Sequence, residues 1–190
     1  MIKLRTMVIN ADKSGVVSSS ENDMRITSIG HKIRKYKLDE LAQLWNVLKG
    51  DMSLVGPRPN VKDETNLYTD TEKGLFLIRP GITDFSSIVF SDEGDILKGK
   101  DNPDLAYNQL IRPWKSRLGL IYIENQSLLL DIKMIFYTIV AFVSKKRALN
   151  WVSSQLKLMN VDYKVVNMSK REEGLYSVPP PGMDKIITKR

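Results

Sequence analysis

The sequence predicts an α+β fold, mainly helical with a small sheet. Three observations support this. Apolar residues recur at helical spacing along most of the chain, whereas only two short stretches, 1–9 and 52–55, read as strands. The 190 residues, 42% of them hydrophobic, suffice for one sizeable core, so one compact domain over 1–160 followed by a tail at 161–190 is the expected organisation. The chain contains no cysteine and one histidine, His31, which excludes a disulfide framework, a thiolate metal site and a Ser/His/Asp system in its usual form.

In order, residues 1–9 alternate apolar and polar as a short strand does, and Ser, Gly, Asn and Asp between 10 and 23 signal a loop. Ile26, Ile29, Ile33 and Tyr36 then form one stripe opposite His31, Lys32, Arg34 and Lys35, a basic amphipathic helix. Its polar face suits phosphates or lipid head groups, although such a run is also an ordinary solvated face. The next helix runs over 38–48, with Leu38, Leu41, Leu44, Trp45 and Leu48 on one stripe and Gly50 as the stop. Residues 52–55 form a strand candidate before the turn Pro57-Arg58-Pro59.

Residues 61–78 read as a helix ended by Arg79-Pro80-Gly81, and 82–100, rich in acids and glycine, as an irregular loop or lid. Pro103 and Pro113 sit where first helical turns accept proline, giving helices at 104–111 and 114–124. Ser127 caps a strongly apolar helix, SLLLDIKMIFYTIVAFVSKK. Its uninterrupted apolar run at 134–143 falls short of the ~20 residues a bilayer crossing needs, so a core or interfacial helix is expected and no span. Residues 147–159 form a further amphipathic helix with Trp151 and Leu156 as candidate interfacial anchors. The polar tail that follows, with Pro179, Pro180 and Pro181, is expected to be loosely ordered.

The chemistry-bearing stretch is 38–59, LDELAQLWNVLKGDMSLVGPRP. Asp39 and Glu40 project about 100° apart on a helix, so they are not a face-to-face carboxylate pair. They can flank one cation, or one can attack while the other holds metal or moves a proton. A helix start favours the ionised form of Asp39, and a carboxylate is a competent nucleophile toward phosphorus. Two prolines restrict the backbone around Arg58, which pre-organises its guanidinium for phosphate; Lys3, Arg5 and Arg79 are further candidate cations. The formal charge of +7 also favours an anionic partner.

KLRTM, LDELAQLWNVLKGDMSLVGPRP, RPGIT and SLLLDIKMIFYTI, in this order, resemble the bacterial sugar transferase family, the monotopic polyprenyl-phosphate phosphoglycosyl transferases. The resemblance covers residue 3 to about residue 143. It implies a membrane-associated catalytic domain with amphipathic C-terminal helices at the cytoplasmic face of the bacterial inner membrane. It also implies transfer of a sugar 1-phosphate from a nucleotide diphosphate sugar to a polyprenyl phosphate with Mg²⁺, initiating exopolysaccharide or glycoconjugate synthesis. By motif, Asp39 resembles the nucleophile that forms a covalent phosphosugar-aspartate, Glu40 its partner, Arg58 the PRP arginine and Lys3 the lysine of the KLRTM element. Asp39 and Glu40 are then the candidate Mg²⁺ holders, and an anionic membrane surface is an expected partner.

The chain departs from the family pattern in opening at KLRTM without the usual membrane-inserted helix, in Lys37 before LDEL, in Leu41-Ala42-Gln43-Leu44, and in DFSSIVFSDEGDIL after RPGIT. Two other readings compete. One is a truncated relative that folds without activity. The other is a basic nucleic-acid module, which rests only on net charge and the HKIRKYK run and has no recognised motif, so no nucleic acid is expected.

Overall fold

The structure, a computed structural model, describes residues 4–11, 23–35 and 38–189, with residues 39 and 40 described in their backbone alone. In the stretch expected as an N-terminal strand, the described residues pair through an isolated antiparallel bridge, Met7 to Ile26. Helix α1 (Ser28–Lys35) packs on this segment through Gly30, where a Cβ would stand 2.0 Å from the Thr6 carbonyl oxygen. Arg34 Nε donates to Thr6 Oγ1 at 2.9 Å across the same contact.

The expected helix over 38–48 is divided into α2 (Leu38–Leu41) and α3 (Gln43–Leu48). Its burial is the reverse of the expectation. Leu38, Leu41 and Leu44 are exposed, as are Trp45 at 54% and Leu48 at 79%, whereas Gln43 at 1% and Asn46 at 2% point inward. Periodicity identified the two faces correctly but not which of them meets the core.

Strand β1 (Ser53–Val55) pairs in parallel with β2 (Gly81–Thr83), Ser53 opposite Gly81 and Val55 opposite Thr83. Glycine is required at 81, because a Cβ there would lie 2.1 Å from the Gly56 nitrogen and 2.5 Å from its oxygen. Between the strands, the single helix expected at 61–78 is instead α4 (Lys62–Thr65) and a separate 3-10 helix (Glu72–Leu77).

The stretch expected as a lid is structured and largely buried. It holds β2, α5 (Phe85–Val89) and α6 (Glu93–Leu97), and Phe85, Ile88, Val89, Phe90 and Leu97 enter the core. Asp84 caps α5, accepting from the Ser87 N–H at 2.8 Å. The two proline-led helices form one run: α7 (Pro103–Ala106), a π-helical turn (Tyr107–Ile111) and α8 (Arg112–Glu124).

Helix α9 (Leu128–Val143), capped by Ser127, buries Leu130 and Met134 and ties to β2 through the Thr83 and Thr138 hydroxyls at 2.6 Å. Helix α10 (Lys145–Leu158) packs its apolar face, Ala148, Leu149, Val152 and Leu156, into the core, so Leu156 is a core residue and not an interfacial anchor. Trp151 stacks on Phe136 of α9 at 5.5 Å. The exposed apolar face belongs to α9 instead: Leu128, Leu129, Ile132, Phe136, Ile139, Phe142 and Val143. Among the described residues, no helix is long and apolar enough to cross a membrane.

Beyond α10, α11 (Tyr163–Lys170) adds Val165, Val166 and Met168 to the same core. The following extended segment is fixed through its backbone oxygens. Arg117 Nη2 donates to the Pro179 oxygen at 2.8 Å, Thr69 Oγ1 to Pro181 at 2.5 Å and Gln109 Nε2 to Ile187 at 2.6 Å. The 161–189 stretch thus crosses α8, the π-helical turn and the segment leading into the 3-10 helix.

Candidate active site

Arg58 sits on a turn anchored to the sheet. The Gly81 N–H donates to the Pro57 oxygen at 3.0 Å, and the Gly56 N–H to the Thr83 oxygen at 2.9 Å, so the carbonyl just before Arg58 is held by the RPGIT strand. The two motifs, GPRP and RPGIT, therefore meet as neighbouring strand ends. Proline on each side removes backbone freedom from the turn.

Arg58 lines a polar pocket together with Asn60, Tyr68, Tyr107, Arg112 and Lys115. Beneath it lies a buried ion pair between Glu72, 0% exposed, and Arg112, 1% exposed. Glu72 Oε1 accepts from Arg112 Nε at 3.0 Å and from Ser116 Oγ at 2.7 Å; Oε2 accepts from Arg112 Nη2 and from the Thr69 N–H at 3.0 Å. Arg112 Nη1 and Nη2 donate to Asn108 Oδ1 at 2.9 Å and to the Leu67 oxygen at 2.5 Å. A buried pair is tolerated when its remaining donors and acceptors are satisfied in this way. The π-helical turn places Tyr107 toward the pocket and Asn108 on Arg112, a use of π-helical geometry common at functional sites.

Lys115 forms an ion pair with Glu93 and lies 5.6 Å from the Tyr107 ring centroid. The Arg112 guanidinium covers the Tyr68 ring at 5.2 Å. Burial pushes the Tyr68 hydroxyl up to about 12 and the Tyr107 hydroxyl higher still, so both keep their protons at neutral pH. Asp84, also on the pocket wall, is fully buried, and loss of solvation raises its carboxyl above the usual range against the opposing hydrogen bonds from Ser87 and Ser86.

The sequence-predicted residues are distributed unevenly. Asp39 and Glu40 lie on the single turn α2, which ends at Leu41 rather than continuing as a long helix; their side chains, and all of Lys3, lie outside the described residues. Arg58 lines the pocket. Arg5 is exposed. Arg79 is also exposed and reaches to 3.8 Å from the position of a Gly50 Cβ, at the end of α3 and outside the pocket lining. Gln43, the first residue of α3, is buried, and its Oε1 has no hydrogen-bond partner among the described residues. Among the described residues no group of three His, Asp or Glu side chains is placed to hold a metal ion.

Sequence reasoning missed Glu72, Tyr107, Arg112, Lys115 and Ser116. The available signal was Asn108, Arg112 and Ser116 at i, i+4 spacing, a polar line inside an otherwise apolar helical run.

The description "Bacterial sugar transferase" matches residues 1–145. Among curated relatives, the chain is 35% identical over 143 residues to the UDP-N-acetylgalactosamine-undecaprenyl-phosphate N-acetylgalactosaminephosphotransferase of Aeromonas hydrophila, covering 72% of this chain and 30% of the relative. It is 37% identical over 139 residues to the uncharacterized sugar transferase EpsL of Bacillus subtilis (strain 168), covering 73% and 60%. It is 34% identical over 148 residues to the UDP-glucose:undecaprenyl-phosphate glucose-1-phosphate transferase of Klebsiella pneumoniae, covering 75% and 29%. The chain thus spans between 29% and 60% of the length of these relatives. The match takes in the KLRTM, LDEL, GPRP and RPGIT elements together, and the chain belongs to the bacterial sugar transferase family.

Proposed function

We propose that this domain transfers a sugar 1-phosphate from a nucleotide diphosphate sugar to a polyprenyl phosphate, initiating exopolysaccharide or glycoconjugate synthesis. The observation that carries this reading is the family match across 1–145, which includes the acid pair and the PRP arginine in one block. The names of the relatives supply the substrate class. Residues 1–160 carry the catalysis in this reading, with 161–190 appended.

The reaction is a double displacement. The Asp39 carboxylate attacks the sugar-linked phosphorus, the bond to the bridging oxygen breaks, and nucleoside monophosphate leaves. A polyprenyl phosphate oxygen then attacks the phosphosugar-aspartate, the acyl phosphate bond breaks, and Asp39 is regenerated as the lipid-linked diphosphate sugar departs. Glu40 moves a proton or holds the cation, and Arg58 neutralises nonbridging phosphate oxygens, with Lys3, Arg5 and Arg79 as further candidate cations. Two carboxylates are donors suited to Mg²⁺, which binds through one or two carboxylates plus substrate phosphates, so Asp39 and Glu40 would hold it. When bound it would supply charge neutralisation at the diphosphate. The direct test is release of nucleoside monophosphate from a UDP-sugar in the presence of polyprenyl phosphate and Mg²⁺. No release from any sugar nucleotide would overturn the reading.

The same proposal places the domain on the cytoplasmic face of the inner membrane. Supporting it, α2 and α3 turn their leucines and Trp45 outward while burying Gln43 and Asn46, an inversion that suits a lipid surface. The exposed face of α9 offers a second apolar area, followed by the exposed Lys146 and Arg147 for anionic head groups. Each such side chain contributes about 1.5–3 kcal/mol on full burial. Ile139→Asp and Phe142→Asp are therefore each expected to lower binding to phosphatidylglycerol vesicles about tenfold or more, with an unchanged melting temperature. Equal vesicle binding by variants and parent would remove α9 from the interface.

A further inference from the structure

The turn that presents Arg58 is held on its far side by a side chain with no assigned role. Asn60, two residues after Arg58, donates from Nδ2 to the Tyr68 hydroxyl at 2.6 Å. Tyr107 lines the same pocket as Asn60. Both tyrosines are buried, and each is held in turn. Tyr68 is stacked on Phe76 at 5.6 Å and covered by Arg112, which Glu72 fixes. Tyr107 lies in the π-helical turn under Lys115, which Glu93 fixes. On the near side, the Pro57 oxygen is fixed by the Gly81 N–H.

Arg58 therefore stands between two anchors, the sheet before it and Asn60 after it. The prolines fix φ at 57 and 59 but leave other torsions of the turn free, and a turn anchored at one end could rotate the guanidinium away from the pocket. A neutral amide bond of this kind adds only about 1 kcal/mol of net stability, so its main consequence is direction. We propose that Asn60 is a positioning residue, held by the Tyr68 hydroxyl, that aims Arg58 at the phosphate of the sugar nucleotide. This rests on the reading of Arg58 as the phosphate-binding cation.

The test uses Asn60→Leu, close in volume and lacking the amide, and Tyr68→Phe, which removes only the hydroxyl, both in the full chain. Hydrogen–deuterium exchange is followed over residues 56–61, and kcat/KM for the sugar nucleotide is measured with and without Arg58→Ala. The expected result is faster exchange at the Arg58 and Asn60 amides in both variants. Asn60→Leu should lower kcat/KM about tenfold with Arg58 present and less than about twofold in the Arg58→Ala background, since residues acting through one another are not additive. A purely structural Asn60 would give the same loss in both backgrounds, which would overturn the inference, as would unchanged exchange. The exchange arm does not need turnover. If the parent turns over no sugar nucleotide, the proposed function fails by that result, while exchange still decides whether Asn60 fixes the turn.

Discussion

Asp39→Asn is expected to abolish nucleoside monophosphate release, lowering it by at least about 10³-fold, or ~4 kcal/mol of transition-state stabilisation. The substitution preserves shape and removes the anionic oxygen that attacks phosphorus in the proposed reaction, so the first displacement would have no nucleophile. α2 is a single turn, and none of its described residues belongs to the core built by α5, α8, α9 and α10. The melting temperature is therefore expected to stay within a few degrees of the parent. Glu40→Gln should retain some first-step turnover, because the role proposed for Glu40 is to assist. An Asp39→Asn protein that releases nucleotide at the parental rate would show that another group attacks.

The largest expected stability effect lies at Glu72 and Arg112. Removing one partner of a buried, hydrogen-bonded pair leaves the other charge uncompensated and costs about 3–5 kcal/mol. Glu72→Ala strands Arg112 and also frees Ser116 Oγ and the Thr69 N–H, so its cost should lie at the upper end. At about 2–4 °C per kcal/mol for a chain of this size, the melting temperature should fall by roughly 10 °C or more. The double substitution Glu72→Leu with Arg112→Met removes both charges and should recover most of that loss. A single Glu72→Ala change costing less than about 1 kcal/mol would mean that water reaches the pair.

How much of this was legible in the sequence depends on whether the signal was local. The 38–59 stretch announced itself because its acids, its glycine stop and its flanked arginine are close neighbours, and β1 followed from a short apolar run. The burial of α2 and α3 was not legible, because spacing distinguishes two faces of a helix but says nothing about which solvent each meets. Trp45 and Leu48 lie on the apolar stripe and are exposed.

The 82–100 stretch misled for another reason. Asp92, Glu93, Gly94 and Asp95 dominate its composition, yet Phe85, Ile88 and Val89 sit at i, i+3, i+4 in a helix too short for periodicity to stand out. Long-range pairings were invisible altogether. Glu72 and Arg112 are far apart in the chain and meet only because the 3-10 helix packs on α8. The ties from Pro179, Pro181 and Ile187 to the body of the fold run through backbone oxygens, which composition does not report.

In the proposed reaction Asp39 carries the phosphosugar between donor and acceptor. The measurement that tests it most directly is intact-protein and peptide mass spectrometry after incubation with sugar nucleotide and Mg²⁺ in the absence of polyprenyl phosphate. The account predicts a single sugar-phosphate adduct on the peptide containing Asp39, absent from Asp39→Asn and discharged when polyprenyl phosphate is added. An adduct on another residue, or efficient transfer that requires both substrates together and passes through no adduct, would contradict it.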